Sequence, residues 1–147
     1  MKLSNIINDN VIFIPVRSGS TRIKNKNLQK IKGLSLLHLK ILSCKKSKIG
    51  KIVVSSNSSK ILNEALKIKG VDIFRRQEKY ASSKASSIST ILEYLRYLRK
   101  KNLPLPKFIT LAPVTNPFLK SSTLKQAYIK LKKNKNVESI ISITESS

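Results

Sequence analysis

The chain has 147 residues, of which 30 are Lys or Arg and 7 are Asp or Glu, so its formal net charge is +23. Apolar residues make up 40%, which is too many for a disordered chain. A single cysteine excludes a disulfide framework, and a single histidine leaves little for a His-based metal site or triad. No apolar run approaches the roughly 18 residues of a membrane helix. We therefore expect a cytoplasmic α/β protein without a membrane partner, in which residues 1–10 are an extension and residues 11–147 form one domain or a piece of one.

The positive charge is weak evidence for nucleic-acid binding. Lysine supplies 24 of the 30 cationic side chains, and these lysines are scattered along the chain. Aromatic residues amount to 5%, whereas specific nucleic-acid recognition depends on arginine forks and stacking aromatic rings. We expect no specific nucleic-acid partner.

The first half of the chain alternates predicted strands with predicted helices. A continuous apolar run, Val11–Pro15, predicts a buried parallel strand, and the polar, basic residues 16–33 predict a long loop. A helix follows over residues 34–46 with Gly50 as its stop, then a strand over residues 51–55. Asn57 or Ser58 is expected to cap the next helix, which Gly70 would end.

The second half repeats this alternation. Strands are predicted over residues 71–74, 108–111 and 139–144, and the last helix begins at Ser121 or Ser122. The helix over residues 85–100 has an apolar stripe at helical spacing, with Tyr94 and Tyr97 on its polar side. The residues of this stripe are Ile88, Ile91, Leu92, Leu95 and Leu98. Such alternation predicts right-handed crossovers and a mostly parallel sheet.

Ligands of such sheets bind beyond the C-terminal ends of the strands, where residues 16–33, 75–87 and 112–120 form polar loops. In the first loop, Gly19 permits a tight turn and hydroxyl residues flank it. The cations Arg17, Arg22, Lys24 and Lys26 surround this turn, and backbone amides with cations can hold phosphate oxygens. The spacing differs from that of a Walker A loop, and a solvated basic loop is the alternative interpretation.

Residues 14–27 as a whole resemble the nucleotide-binding signature of the CMP-sugar synthetases, Ile-Pro-Ala-Arg-x-Gly-Ser-Lys-x-Ile-x-x-Lys-Asn. The matching positions are Ile14, Pro15, Arg17, Gly19, Ser20, Ile23, Lys26 and Asn27. Residues 74–81, 111–118 and 138–144 are also similar to segments of that family.

The resemblance implies a Rossmann-like nucleotidyltransferase sheet, mostly parallel and three-layered, that is truncated at its C-terminus. Such an enzyme activates an acid sugar, a sialic acid-like nonulosonic acid, with CTP, and pyrophosphate leaves with the help of Mg²⁺. By resemblance, Arg17 and Lys26 would act on the phosphates, with Gly19 and Ser20 shaping the loop. The other nucleotide-binding positions would be Arg22, Asn27 at the cytosine edge, Arg76 near the base, and Thr115.

The chain also departs from the family pattern. Thr21, Asn57, Ser83 and Pro113 replace a lysine, two carboxylates and an amide, and Glu78 is the one acid in the three edge loops. The family domain continues further and there carries a dimerisation segment, sugar contacts and an Asp-x-Asp metal site, so no protein ligands for Mg²⁺ are identified here. These departures leave two hypotheses. The first is a cytidylyltransferase, or the nucleotide-binding half of one, with a homodimer or a complementary C-terminal fragment as its expected protein partner. The second is a catalytically impaired, nucleotide-binding relic. In the first helix, His38 is expected to lie on the surface or to pack rather than to act chemically, and Cys44 is expected to be inert core.

Overall fold

A computed structural model of the chain describes residues 9–18, 26–31, 33–81 and 85–143. Six strands lie in this part, namely β1 (Asn10–Pro15), β2 (Lys30–Ile31), β3 (Leu34–Ser35), β4 (Lys51–Ser56), β5 (Val71–Arg75) and β6 (Phe108–Leu111). Its four α-helices are α1 (Leu36–Ser47), α2 (Ser59–Leu66), α3 (Ser87–Lys100) and α4 (Ser121–Lys133). Short 3₁₀ turns lie at Lys26–Leu28 and Glu78–Tyr80. No helix within these ranges is both long enough and apolar enough to cross a membrane.

The main sheet has four parallel strands in the order β5-β4-β1-β6. β1 lies in the middle, with Ile12 opposite Ile52 of β4 and Thr110 of β6. The predicted parallel sheet is therefore confirmed. All four C-terminal strand ends meet at one edge, because parallel strands run in the same direction.

Helices cover both faces of the sheet, which confirms the three-layer expectation. Alternate residues of β1 point to opposite faces, so Ile12 and Ile14 pack in one core while Val11 and Phe13 pack in the other. Helices α1, α2 and α4 cover the first face, and α3 covers the second. Burial on both faces explains why β1 has a continuous apolar sequence instead of an alternating one.

The predicted apolar stripe of α3 is only partly correct. Ile88 and Leu92 are 68% and 43% exposed, whereas Tyr94, predicted on the polar side, is 8% exposed. The Tyr94 ring packs 5.4 Å from the ring of Phe13 and 5.2 Å from that of Phe74, measured between ring centroids. These aromatic contacts with the sheet turn the helix so that Tyr94 faces inward, a rotation that periodicity alone does not reveal.

The loop predicted over residues 16–33 contains regular structure in its described part. After the 3₁₀ turn, β2 and β3 pair as a short antiparallel ladder, and Gly33 has a φ of +84° between them. Ser35 then caps α1, its hydroxyl accepting the N–H of His38 at 3.2 Å. The helix consequently begins at Leu36, two residues later than predicted.

The strand predicted over residues 139–144 is wrong for its described part, since residues 138–143 have no regular secondary structure. Within the described ranges β6 pairs with β1 alone, so residues 139–143 have no ladder partner there. Ile140 and Ile141 instead line a groove of about 280 Å³ beside β6 and α4. β-branched residues favour a strand only where another strand can pair with them.

Candidate functional site

A hydrogen-bond network joins three loops at the C-terminal edge of the sheet. The N–H of Ser18, after β1, donates to Oδ1 of Asn57 at 3.1 Å, and Nδ2 of Asn57, after β4, donates to Oγ of Ser18 at 2.8 Å. The same Nδ2 donates to Oε2 of Glu78, after β5, at 3.0 Å. Asn57 is one of the positions at which the sequence departs from the family pattern, and Glu78 is the one acid in the three edge loops. Their contact means that the β1, β4 and β5 loops are fixed to one another.

Two predicted site residues, Arg17 and Asn27, are brought together. Arg17 is exposed and follows Val16, whose N–H donates to the Ser55 carbonyl at 2.8 Å and so extends the β1–β4 ladder. Nδ2 of Asn27 donates to the Arg17 carbonyl at 3.2 Å. This bond holds the 3₁₀ turn that begins at the half-buried Lys26 against the end of β1. Gly19, Ser20 and Arg22 lie outside the described residues.

Arg76 lies directly after β5, and it is only 6% exposed. Its backbone N–H donates to the Ser56 carbonyl at 3.1 Å, and its Nη1 lies 3.5 Å from Oγ1 of Thr90 on α3. Burial lowers the pKa of the Arg76 guanidinium, and the Arg17 charge lowers it further, while Glu93 and Glu78 raise it. A buried cation at the ligand edge is suited to holding an anion or a polar ring.

Thr115 lies at the same edge, in the turn after β6, and is exposed. Within the described residues no hydrogen bond links it to the other predicted site residues. The turn is anchored to α1, because the buried ammonium of Lys40 donates to the Asn116 carbonyl. Burial lowers the pKa of Lys40. Lys40 thus fixes the position of Thr115 indirectly.

The side chain of His38 makes a hydrogen bond at the start of α1, and Cys44 packs in the core. Nδ1 of His38 is 2.8 Å from Oγ of its capping residue, Ser35. Cys44 is 1% exposed in the core of α1, and burial raises the pKa of its thiol to about 11. Neither side chain lies in the Ser18–Asn57–Glu78 network.

The described residues do not fit a protein-held metal. They contain no cluster of three His, Cys, Asp or Glu side chains that could bind an ion. Glu78 contributes a single carboxylate, which already accepts from Asn57. Mg²⁺ prefers several oxygen ligands and is commonly bound through one or two carboxylates together with substrate phosphates.

The sequence did not point to Glu93 or Lys40. Glu93 lies on α3, is 8% exposed, and accepts the N–H of Gln77 on its Oε1 at 2.9 Å. Both residues belong to helices, and helical spacing gives no indication that a charged side chain turns inward to a distant loop. A charged residue on the buried face of a helix would have indicated such a contact. That face can be identified only when the rotation of the helix over the sheet is known.

Comparison with known proteins agrees with this arrangement. A family model described as cytidylyltransferase matches residues 11–147. The chain belongs to the cytidylyltransferase family. It is 33% identical over 126 residues to post-translational flagellin modification protein B of Campylobacter coli, a match covering 84% of this chain and 53% of that protein. It is 31% identical over 128 residues to the pseudaminic acid cytidylyltransferase of Campylobacter jejuni, covering 86% of this chain and 55% of that protein.

A solved structure of a protein complexed with CTP shows the same fold. CMP:2-keto-3-deoxy-manno-octonic acid synthetase complexed with CTP matches with a TM-score of 0.66 and 14% identity, covering 88% of this chain and 49% of that one. The chain thus spans about half the length of the relatives it matches. The shared fold is a Rossmann-like nucleotidyltransferase sheet.

Proposed function

We propose that the chain binds CTP at the C-terminal edge of β1, β4 and β5, as part of a cytidylyltransferase that activates an acid sugar of the nonulosonic class. The single observation that supports this most is the contact between Asn27 and Arg17, two signature residues ten positions apart. The family match over residues 11–147 supports CTP as the nucleotide, and the name of the Campylobacter jejuni relative supports the class of the sugar.

In this proposal the site neutralises and positions the triphosphate. Arg17 is exposed at the end of β1, where its guanidinium can bind phosphate oxygens, and Lys26 adds a second cation. By resemblance, Gly19, Ser20 and Arg22 shape and charge the intervening loop, while Asn27, Arg76 and Thr115 line the nucleoside. A sugar hydroxyl would attack the α-phosphorus and form a new P–O bond, its proton passing to solvent, while the α–β bridging P–O bond breaks and pyrophosphate leaves. Charge neutralisation and positioning would supply most of the rate enhancement.

Three further expectations form part of the proposal. Mg²⁺ would arrive on the phosphates of the nucleotide, since the described residues supply no ligand set of their own. The remaining sugar contacts would come from a second copy or a complementary C-terminal fragment. We place the reaction in the cytoplasm, with no specific nucleic-acid partner.

A second candidate function is nucleotide binding without turnover. The replacement of two family carboxylates by Asn57 and Ser83 favours it. Both functions require CTP to bind, so binding is tested first and turnover separately.

Calorimetric titration with CTP tests the site. Arg17→Ala and Asn27→Ala should each weaken CTP binding about 10- to 100-fold, a loss of about 1.5–3 kcal/mol of binding free energy. Arg17→Ala removes a charge-assisted bond, and Asn27→Ala removes the bond that positions Arg17. The matched controls are Arg99→Ala and Asn63→Ala, both at exposed helix positions away from this edge. Equal CTP affinity in wild type and all four variants would remove the basis for this site.

A further inference from the structure

The edge of β6 that faces away from β1 is open in the described part of the chain. The N–H of Ala112 donates to the Phe13 carbonyl at 2.9 Å. Because the backbone groups of a strand alternate between its two sides, those of Ile109 and Leu111 point to the opposite edge, which has no partner strand within the described ranges. Natural sheets usually protect such an edge with a charged residue, a proline or a bulge, and Phe108–Leu111 contains none of them.

The apolar groove beside β6 and α4 runs along this open edge, and a polar atom within it lacks a partner. The hydroxyl of Tyr128, which lines the groove, is buried and makes no hydrogen bond with any described residue. Tyr128 is 5% exposed, and its ring packs edge-on against the ring of Phe108, with 5.7 Å between the ring centroids. Native proteins rarely leave a buried polar atom unpaired, so this hydroxyl points to an occupant of the groove that offers it a hydrogen-bonding group.

The surroundings of the groove are strongly positive. Residues 107–135, which include β6 and α4, contain seven lysines and no acidic residue. Lys107 and Lys132 share the carboxylate of Asp9, while the other five lysines form no ion pair with a described residue. This surface therefore has an unbalanced positive charge.

Two of the five unpaired lysines, Lys120 and Lys130, are exposed and stand next to the groove-lining residues Leu119 and Leu131 in the chain. A second copy of the chain would bring the same net charge of +23 to this surface, and a large net charge of one sign opposes association. Charge complementarity favours an acidic occupant instead.

We propose that this groove binds an acidic polypeptide segment in extended conformation, which pairs with β6 as an additional strand. The backbone of the segment bonds to Ile109 and Leu111, its alternate apolar side chains enter the groove, and its acidic side chains meet Lys120 and Lys130. Strand addition of this kind takes its affinity from main-chain hydrogen bonds and its specificity from the sites for alternate side chains. The groove lies along the side of the sheet, so the interaction does not require CTP.

Three peptides test the chemistry of the occupant, with fluorescence anisotropy at about 0.15 M salt as the measurement of each dissociation constant. The probe is a fluorescein-labelled peptide of eight residues that alternates valine with glutamate. It should bind about 3- to 10-fold more tightly than a peptide with serine in place of glutamate, the effect of two exposed ion pairs. A third peptide keeps the glutamates but has N-methyl groups on two adjacent central amides, which block pairing at both of its edges. This peptide should bind at least about 10-fold more weakly than the probe, because main-chain hydrogen bonds are lost.

Two substitutions in the chain test the groove itself. Leu111→Pro removes an N–H from the open edge and leaves the β1 ladder intact, so it should weaken binding of the probe at least about fivefold. Tyr128→Phe should weaken this binding about 2- to 10-fold and leave urea unfolding unchanged, because the hydroxyl has no partner among the described residues. Tyr97→Phe, on α3, is the matched control and should bind the probe as wild type does.

Several results would overturn the inference. Equal affinity for the probe and its N-methylated form would mean that charge alone attracts the peptide, and equal affinity for the glutamate and serine peptides, or no binding of either, would exclude an acidic occupant. If wild type forms a dimer that Leu111→Pro dissociates, a second copy occupies the groove instead. Should Leu111→Pro fail to fold, the three peptides and Tyr128→Phe decide. The proposed CTP site stands or fails separately, by the calorimetric titration.

Discussion

The thiol of Cys44 shows how strongly the core of α1 excludes water. It is 1% exposed, and burial raises its pKa from 9.0 to about 11, although the nearby Lys40 charge opposes that rise. The thiolate is the reactive form of cysteine, so at pH 8 a two-unit rise leaves about 100-fold less of it. We expect an aromatic disulfide reagent to label the native chain at least 100-fold more slowly than the chain unfolded in guanidinium chloride.

The labelling rate should also depend on pH in a defined way. Since the folded pKa lies near 11, the native rate should keep rising between pH 9 and 11, whereas the rate of the unfolded chain should level off above about pH 10. Native labelling at the rate of a free thiol at pH 8 would contradict the placement of Cys44 in the core.

The predicted site residues were recoverable from the sequence only where a continuous motif contains them. Arg17, Lys26 and Asn27 share one signature, and Asn27 does contact Arg17. Glu93 and Lys40 act across long stretches of chain, since Glu93 accepts from Gln77 and Lys40 donates to Asn116. Such contacts depend on how the helices are rotated over the sheet, which no local pattern records.

At the scale of elements, four of the five strand predictions succeeded, because each of those segments is a short run rich in β-branched or aromatic residues. The segments 11–15, 51–55, 71–74 and 108–111 all lie within observed strands. The prediction over residues 139–144 had the same composition, yet its described residues remain irregular because they have no partner strand there. Composition therefore identifies a segment able to form a strand, and pairing decides whether it does.

Gly50 has a different role from the helix stop that the sequence predicted. Helix α1 ends at Ser47, and Lys48 supplies the left-handed residue after it, with a φ of 54°. A Cβ on Gly50 would overlap the backbone carbonyl of Asn10, whose side chain donates to the Ile49 carbonyl at 3.1 Å and to Thr110 at 3.0 Å. Gly50 is thus required for the close approach of the backbone to β1.

This contact predicts a difference between two glycine substitutions. Gly50→Ala should lower the free energy of unfolding by about 3 kcal/mol, because backbone atoms on both sides must move. Gly70→Ala should cost about 1 kcal/mol, since its φ of +81° is strained for alanine but no atom lies within 4 Å of the new Cβ. Urea unfolding of the three proteins measures both values, and an equal loss in the two variants would contradict the close approach.

At the scale of the whole molecule, an open apolar edge lies beside β6. Its groove is lined by residues of β6 and α4 together with Ile140 and Ile141, and Ile141 is 80% exposed. The match covers only 53% and 55% of the two Campylobacter relatives. A strand edge and an apolar surface of this kind favour association with another polypeptide segment.

These features predict slow turnover by the chain alone. With CTP, Mg²⁺ and a nonulosonic acid, pyrophosphate release should be at least about 10³-fold slower than in a full-length relative, because ground-state binding by cations does not by itself stabilise the transition state. Adding the separately expressed C-terminal half of a relative should raise the rate. Turnover near one per second by the chain alone would contradict this prediction.

We expect CTP to bind where the loops after β1, β4 and β5 are joined. Amide hydrogen exchange, measured by mass spectrometry with and without saturating CTP, tests this location directly. CTP should slow exchange in peptides covering residues 16–18, 26–29, 56–58 and 74–81, and should leave α4 (Ser121–Lys133) unchanged. An unchanged exchange pattern, or slowing confined to α4 and the groove beside β6, would contradict this location of the CTP site.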